Sequence, residues 1–356
     1  MDTLTHAVLG AAVGGTVLGR RLGRKAVLIG AVVTALPDLD VFLDYGDAVL
    51  NVTEHRGFSH SVFVLTGLGT LLALLARRFA PARDITLGRW WAFFVLSMLS
   101  HPLLDVLTTY GTQLWWPLDV RPSAWPVVFI IDPLYTLPLL AAFVIALASG
   151  NGFRAPAWGL AISCAYLAFA MLAKGVVEHR LEPVLAEHGI EDAPRLVQPT
   201  PFNTLLWRAT IIDGDRHYET LVGLLDGAEA PMLEIFHRGA ELEEDVLALE
   251  MGERLDWFAG PYLRYEVRQR DGRETLIATD VRLGFPGFYA FSYALATREE
   301  GETWQPLKPT EMLTPDTRVD MAALGQLAAR VFSPEARLCT SDFVTDRWVA
   351  DVPAAC

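Results

Sequence analysis

Histidine and aspartate recur at the ends of successive apolar stretches: Asp2 and His6, Asp38 and Asp40, His55 and His60, His101 and Asp105, and Asp132. Imidazole and carboxylate are the side chains that hold zinc, manganese or iron. They are costly in or beside hydrocarbon, so their concentration in apolar sequence marks a functional site. Asp2 with His6, and His101 with Asp105, have the i, i+4 spacing that puts two side chains about 40° apart around a helix axis and one turn along it. Helices of this kind can pool about four to six ligands around one or two ions. Glu-x-x-His pairs, the mark of oxygen-activating di-metal bundles, are missing, so the chemistry reads as hydrolytic. Arg56 lies between His55 and His60 and can clamp an anion, because a guanidinium donates two parallel hydrogen bonds. His55 can act as a ligand, a proton shuttle or a hydrogen-bond partner to a carboxylate.

Each piece also has an ordinary role. Asp2 can cap a helix, Pro37-Asp38-Leu39-Asp40 can end one, and His101 can simply bond Asp105. Asp132-Pro133 reads best as a cap. The ordinary reading weakens when the clusters are taken together.

The elements that would position them are apolar stretches at about 4–19, 26–36, 61–76, 90–108, 127–148 and 158–173. A helix crosses a bilayer core with about 20 apolar residues, a length that three of these approach and the others accommodate by packing inside a bundle. Arg20, Arg21, Arg24, Lys25, Arg77, Arg78, Arg83, Arg89 and Arg154 fall in alternate loops and predict the cytoplasmic side. Six crossings then put both termini, and all the His/Asp clusters, on the opposite side. The first stretch has no basic leader or small-residue cleavage site and reads as a retained anchor. Tyr110, Trp115, Trp116 and Trp125 predict an aromatic belt at the outer interface.

Charge divides the chain. Residues 1–173 hold 11 Lys/Arg against 10 Asp/Glu, and residues 174–356 hold 18 against 32. The acidic half repels phosphate backbones, so no nucleic-acid partner is expected. Of the cysteines, Cys164 lies in an apolar stretch, while Cys339 and Cys356 can pair in an oxidising compartment. The expected fold is a multi-spanning α-helical membrane bundle followed by a small soluble α+β domain with an antiparallel sheet. Its divisions are 1–175 for the bundle, 176–202 for a linker and 203–356 for the acidic domain. In that domain 205–212 with 217–225, and 262–269 with 274–283, read as hairpins around Asp-Gly turns. Residues 288–297 read as a strand, and 232–250 and 321–332 as helices.

The motifs Asp2-Thr3-Leu4-Thr5-His6, Pro37-Asp38-Leu39-Asp40, His55-Arg56-Gly57-Phe58-Ser59-His60-Ser61 and Ser100-His101-Pro102-Leu103-Leu104-Asp105 resemble those of the YdjM-like family of inner-membrane-associated metal-dependent hydrolases, also described as LexA-binding. The likeness continues through Thr108-Thr109-Tyr110-Gly111-Thr112 to Trp116-Pro117 and covers about residues 1–210. It implies a bacterial inner-membrane location. A more distant similarity, to the zinc-dependent phospholipase C and single-strand nuclease superfamily, implies that Asp38, His60, His101 and Asp105 hold one zinc. Asp105 would then bridge to a second zinc held by His6 and the N-terminal region. The chain departs from that superfamily after Asp105, where the further His and the His-x-x-x-Glu/Asp pair for a third zinc are missing.

The expected function is therefore a membrane-embedded hydrolase using one or two zinc-like ions, acting on phosphoesters of lipids or lipid-linked intermediates. Its metal set is His6, Asp38, His60, His101 and Asp105 with Asp2 and Asp40, and its catalytic residues are Arg56 and His55. Two alternatives stand beside it: a non-catalytic metal-binding scaffold that recruits a partner, and a metal- or ion-handling membrane protein. An ion path needs polar groups on both halves of the bilayer, and here they gather on one.

Overall fold

The computed structural model describes residues 1–79, 84–149, 154–227, 229–314, 321–333, 336, 338–343 and 349–351. Arg83 and Cys356, named above, lie outside them. The chain forms two compact units: one of residues 1–43, 54–171 and 201–203, the other of residues 44–53, 172–200 and 204–356.

The first unit is helical. Its elements are α1 (Thr3–Leu22), α2 (Arg24–Ala35), a 3-10 turn at Pro37–Phe42, a second at Phe58–His60, α4 (Val62–Phe79), α5 (Leu87–Asp105), α6 (Pro133–Ser149) and the first part of α7 (Ala155–Glu187). Each of the six expected apolar stretches contains a helix, with residues 106–108 and 127–132 outside α5 and α6. Asp2 starts α1 by accepting the Thr5 N–H, and Gly23, at φ 56°, turns the chain between α1 and α2. These two helices approach through glycine: a Cβ on Gly30 would collide with the Gly10 carbonyl oxygen. Leu18, Val33, Phe93 and Met98 pack one core region, and Val8, Leu9, Leu104 and Leu139 another. Leu71, Leu74 and Leu75 on α4, and Val144 and Ile145 on α6, face outward. Apolar surface on that scale marks contact with lipid or protein. Among the described residues, α4 and α7 are long and apolar enough to cross a membrane, and α6 is a shorter apolar helix.

The second unit holds two antiparallel sheets where one was expected. Strands β1 (Arg195–Pro199), β2 (Leu206–Asp213), β3 (Arg216–Gly223), β4 (Glu234–His237) and β9 (Val349–Asp351) form the first, in that order. Strands β5 (Leu263–Arg270), β6 (Arg273–Phe285), β7 (Phe288–Arg298) and β8 (Gln305–Leu313) form the second. Both expected hairpins are present as β2–β3 and β5–β6. Asp271 and Gly272 take positive φ at the β5–β6 turn, as a two-residue Asp-Gly hairpin requires. Helix α10 (Met321–Phe332) also matches expectation. The expected helix at 232–250 does not form. Its place is taken by β4, α8 (Glu243–Leu247) and the approach to α9 (Glu250–Ala259). Pairing of β4 with β3 and β9 outweighs local helix propensity there. The expected linker at 176–202 contains the end of α7 and all of β1.

One element comes from an unexpected part of the sequence. Helix α3 (Ala48–Thr53) lies between two ligand motifs yet belongs to the second unit. Its Val49 is fully buried in a core with Leu255, Tyr265 and Tyr293.

Candidate metal centre

Five of the expected ligands meet at one place in the helical unit. Helix α1 supplies His6, the turn after α2 supplies Asp38, the turn before α4 supplies His60, and the last turn of α5 supplies His101 and Asp105. His6, His60, His101 and Asp105 are fully buried. Ligand atoms of His6, Asp38 and His101 lie within 4.8 Å of one another, as do those of His60, His101 and Asp105.

The hydrogen bonds orient these rings. His101 Nδ1 stands 2.7 Å from the Thr34 carbonyl oxygen, which can only accept, so Nδ1 carries a proton and Nε2 faces the cluster. Ser59 gives its single hydroxyl proton to Asp40 at 2.5 Å and accepts from His60 Nδ1 at 2.8 Å. His60 Nε2 therefore faces the cluster as well. Partners outside the cluster fix metal-binding imidazoles in this way. Burial pushes the His60 pKa down to about 4, which keeps the ring neutral near pH 7.

Around His101 Nε2 stand His60 Nε2 at 3.0 Å, Asp38 Oδ1 at 3.2 Å and Asp105 Oδ2 at 3.3 Å. All three are acceptors. A neutral His101 brings no proton to Nε2 and an imidazolium brings one, which cannot satisfy three acceptors. Asp105 Oδ2 and His6 Nδ1 are buried without a hydrogen-bond partner. Three imidazoles and two carboxylates arranged in this way could hold a metal ion.

Positive charge also enters the cluster. Arg56 Nη2 lies 3.2 Å from Asp105 Oδ1, and the amino group of Met1 hydrogen-bonds the same oxygen. The guanidinium is buried, with Nη1 3.4 Å from Thr108 Oγ1 and its centre 5.0 Å from the Tyr110 ring centroid. The chain takes φ 62° at Arg56 to send the side chain inward.

The other expected site residues do different work. Asp2 caps α1, accepting from Thr5 N and Thr5 Oγ1, and lies outside both ligand groups. Asp40 accepts from His55 Nδ1 at 2.9 Å, Arg56 N at 2.9 Å and Ser59 Oγ, so it braces the 55–60 loop. Burial opposes its charge, but the hydrogen bonds and charge of His55 outweigh that and hold its carboxyl below the usual carboxylate range. His55 joins the site through Asp40, with its ring edge-on to Tyr110. Asp132 caps α6 and accepts from Tyr166, as its cap reading predicts. Tyr110 is buried against Arg56 and His55 rather than in a belt, while Trp115, Trp116 and Trp125 are exposed. Thr34, Ser59 and Thr108 were not anticipated. Ser59 could have been found from its place beside His60, whereas a main-chain carbonyl such as that of Thr34 leaves no trace in sequence.

Comparison with known proteins adds a family. YfhP of Bacillus subtilis (strain 168) is 24% identical over 303 residues, covering 82% of this chain and 89% of YfhP. The inner membrane protein YbcI of Escherichia coli (strain K12) is 34% identical over 114 residues, covering 32% of this chain and 64% of YbcI. No solved structure matches the chain. The YdjM inner membrane protein family matches residues 1–177, the stretch that carries every candidate ligand. Over those residues, the N-terminal region of the chain belongs to the YdjM inner membrane protein family.

Proposed function

We propose that the protein is a membrane-embedded, metal-dependent hydrolase of phosphoester bonds in lipids or lipid-linked substrates. The observation that carries the reading is the meeting of His60 Nε2, His101 Nε2, Asp38 Oδ1 and Asp105 Oδ2 with too few protons to satisfy them. His6, Asp38, His60, His101 and Asp105 would hold one or two zinc-like ions. Such an ion lowers the pKa of a bound water toward neutrality and polarises a phosphoryl oxygen.

The protein's own groups do the rest. Arg56 brings a permanent positive charge to Asp105 and can turn a second nitrogen toward a substrate phosphate. His55, half-exposed and oriented by Asp40, is placed to take or give a proton at its free ring edge. The exposed apolar residues Leu39, Val41, Phe42 and Phe58 flank the ligand motifs in sequence and suit an acyl-bearing substrate. Six crossings, with the ligand ends of the helices and the C-terminal unit outside the cytoplasm, complete the proposal.

A second reading has an observation in its favour. Arg56 already supplies positive charge to Asp105 and the Met1 amino group hydrogen-bonds it, as in a structural knot. Elemental analysis of the detergent-purified chain separates the two. The hydrolase reading expects at least one bound zinc-like ion per chain, with cleavage of a phospholipid to an alcohol and a phosphomonoester or release of phosphate from a prenyl phosphate. Metal-free protein that stays folded after zinc is supplied would leave the knot.

A further inference from the structure

The loop between α2 and α4 carries Asp38 and Asp40 at its start and His55, Arg56 and His60 at its end. Its middle, residues 44–53, is built into the second unit. A helix as short as α3 does not persist alone in water, so its structure comes from what holds it. Asp47 caps it, accepting from Val49 N at 2.8 Å. The same carboxylate accepts from Thr310 N and Thr310 Oγ1, both at 2.7 Å, on strand β8. Val49 fills the core under Tyr265 and Tyr293, and Arg254 of α9 donates to Thr53 Oγ1 at 3.0 Å.

The connection back to the ligand motif is short. Only Glu54 separates Thr53 from His55, and consecutive Cα atoms are about 3.8 Å apart, so a fixed Thr53 confines His55 to within about 7.6 Å. From there the restraint passes through side chains. His55 and the Arg56 N–H bond Asp40, Asp40 bonds Ser59, and Ser59 orients His60.

We propose that the second unit clamps the ligand loop through α3, with Asp47 and Thr310 as positioning residues for His60 and Arg56. This rests on the metal-centre reading for its consequence, not for its geometry. Whatever loosens α3 then lengthens the unrestrained chain between Asp40 and His55 and loosens the metal centre.

The test uses the full chain in detergent with zinc alone as the probe. Variants are Asp47→Ala, Thr310→Val, a short Gly-Ser insertion between Thr53 and Glu54, and the insertion combined with Asp47→Ala. The insertion leaves α3 docked and only adds slack. Zinc affinity, from competition with a chromophoric chelator, should fall about 10- to 100-fold in each, the usual effect of losing support behind a ligand. The combined variant should be no weaker than its parents, because both changes release one restraint. Amide exchange at 54–61 should quicken in all of them without zinc. An insertion variant with wild-type affinity and wild-type exchange, or losses that add, would overturn the clamp. Wild-type protein that binds no zinc while exchange still quickens would sink the metal reading and leave the clamp standing.

Discussion

Asp105 is a residue on which five groups converge. It meets His6, His60, His101, Arg56 and the Met1 amino group inside the protein. Asp105→Ala therefore removes a ligand and strands the Arg56 guanidinium, a loss of about 3–5 kcal/mol for a broken buried pair. Metal content and thermal midpoint should fall together in that variant. His101→Ala should lose metal with a smaller change in stability, because no fixed charge is left unpaired. Arg56→Ala should keep its metal, since a guanidinium cannot ligate, yet raise KM or abolish turnover. Arg56→Lys should recover little, because an ammonium lacks the planar fork. These residues were legible because i, i+4 spacing and residue type together narrow the choice. Asp2 and Asp40 were not separable from them by type, since a carboxylate that caps or braces looks the same in sequence as one that binds metal.

At the scale of elements, the seam between α1 and α2 positions two parts of the site at once. Helix α1 carries His6, and α2 carries the Thr34 carbonyl that orients His101. A Cβ at Gly30 meets the backbone of Gly10 and Gly14, not a movable side chain. Gly30→Ala should push the helices apart, costing about 1–3 kcal/mol of overpacking. Its signature would be weaker zinc binding with every ligand still present. A variant with unchanged metal affinity would mean that the seam yields without disturbing His101. The six helices were legible from unbroken apolar runs, and the hairpins from Asp-Gly turns flanked by alternating residues. The two-sheet division was not, because β4 is short and joins β9 from the far end of the chain. Nor was α3, whose partner Thr310 is remote in sequence.

The whole molecule combines an apolar family region with an acidic unit whose interior is also polar. Arg208 on β2 bonds Glu219 on β3 and reaches the Val281 and Gly284 carbonyls on β6. His217 donates to Glu219 at 2.6 Å, and its Nδ1 is buried without a partner. Burial holds the His217 pKa below its ordinary value, against the pull of Glu219. The folded ring stays neutral while the unfolded chain takes a proton below pH about 6.5, so stability is lost as pH falls from there to the folded pKa. The slope is at most about 1.4 kcal/mol per pH unit from this one group. Urea unfolding of the full chain at pH 7 and pH 5 should show the loss, and His217→Gln should reduce it. Orientation is tested at the same scale. A reporter fused after Cys356 should work only outside the cytoplasm, and cytoplasmic activity would mean an odd number of crossings.

The capture of α3 by β8 also sets a timetable. Asp47 and Thr310 are 263 positions apart. At a synthesis rate of about 5–20 residues per second, Thr310 is made about 13–50 s after Asp47. For that interval the helices bearing His6, His60, His101 and Asp105 exist on the nascent chain while the loop between them lacks the hydrogen bonds of Asp47 to Thr310. Completion of the loop therefore waits for the synthesis of β8. A ribosome-stalled chain ending before β8 should leave residues 44–53 open to protease, and one extended past β8 should protect them.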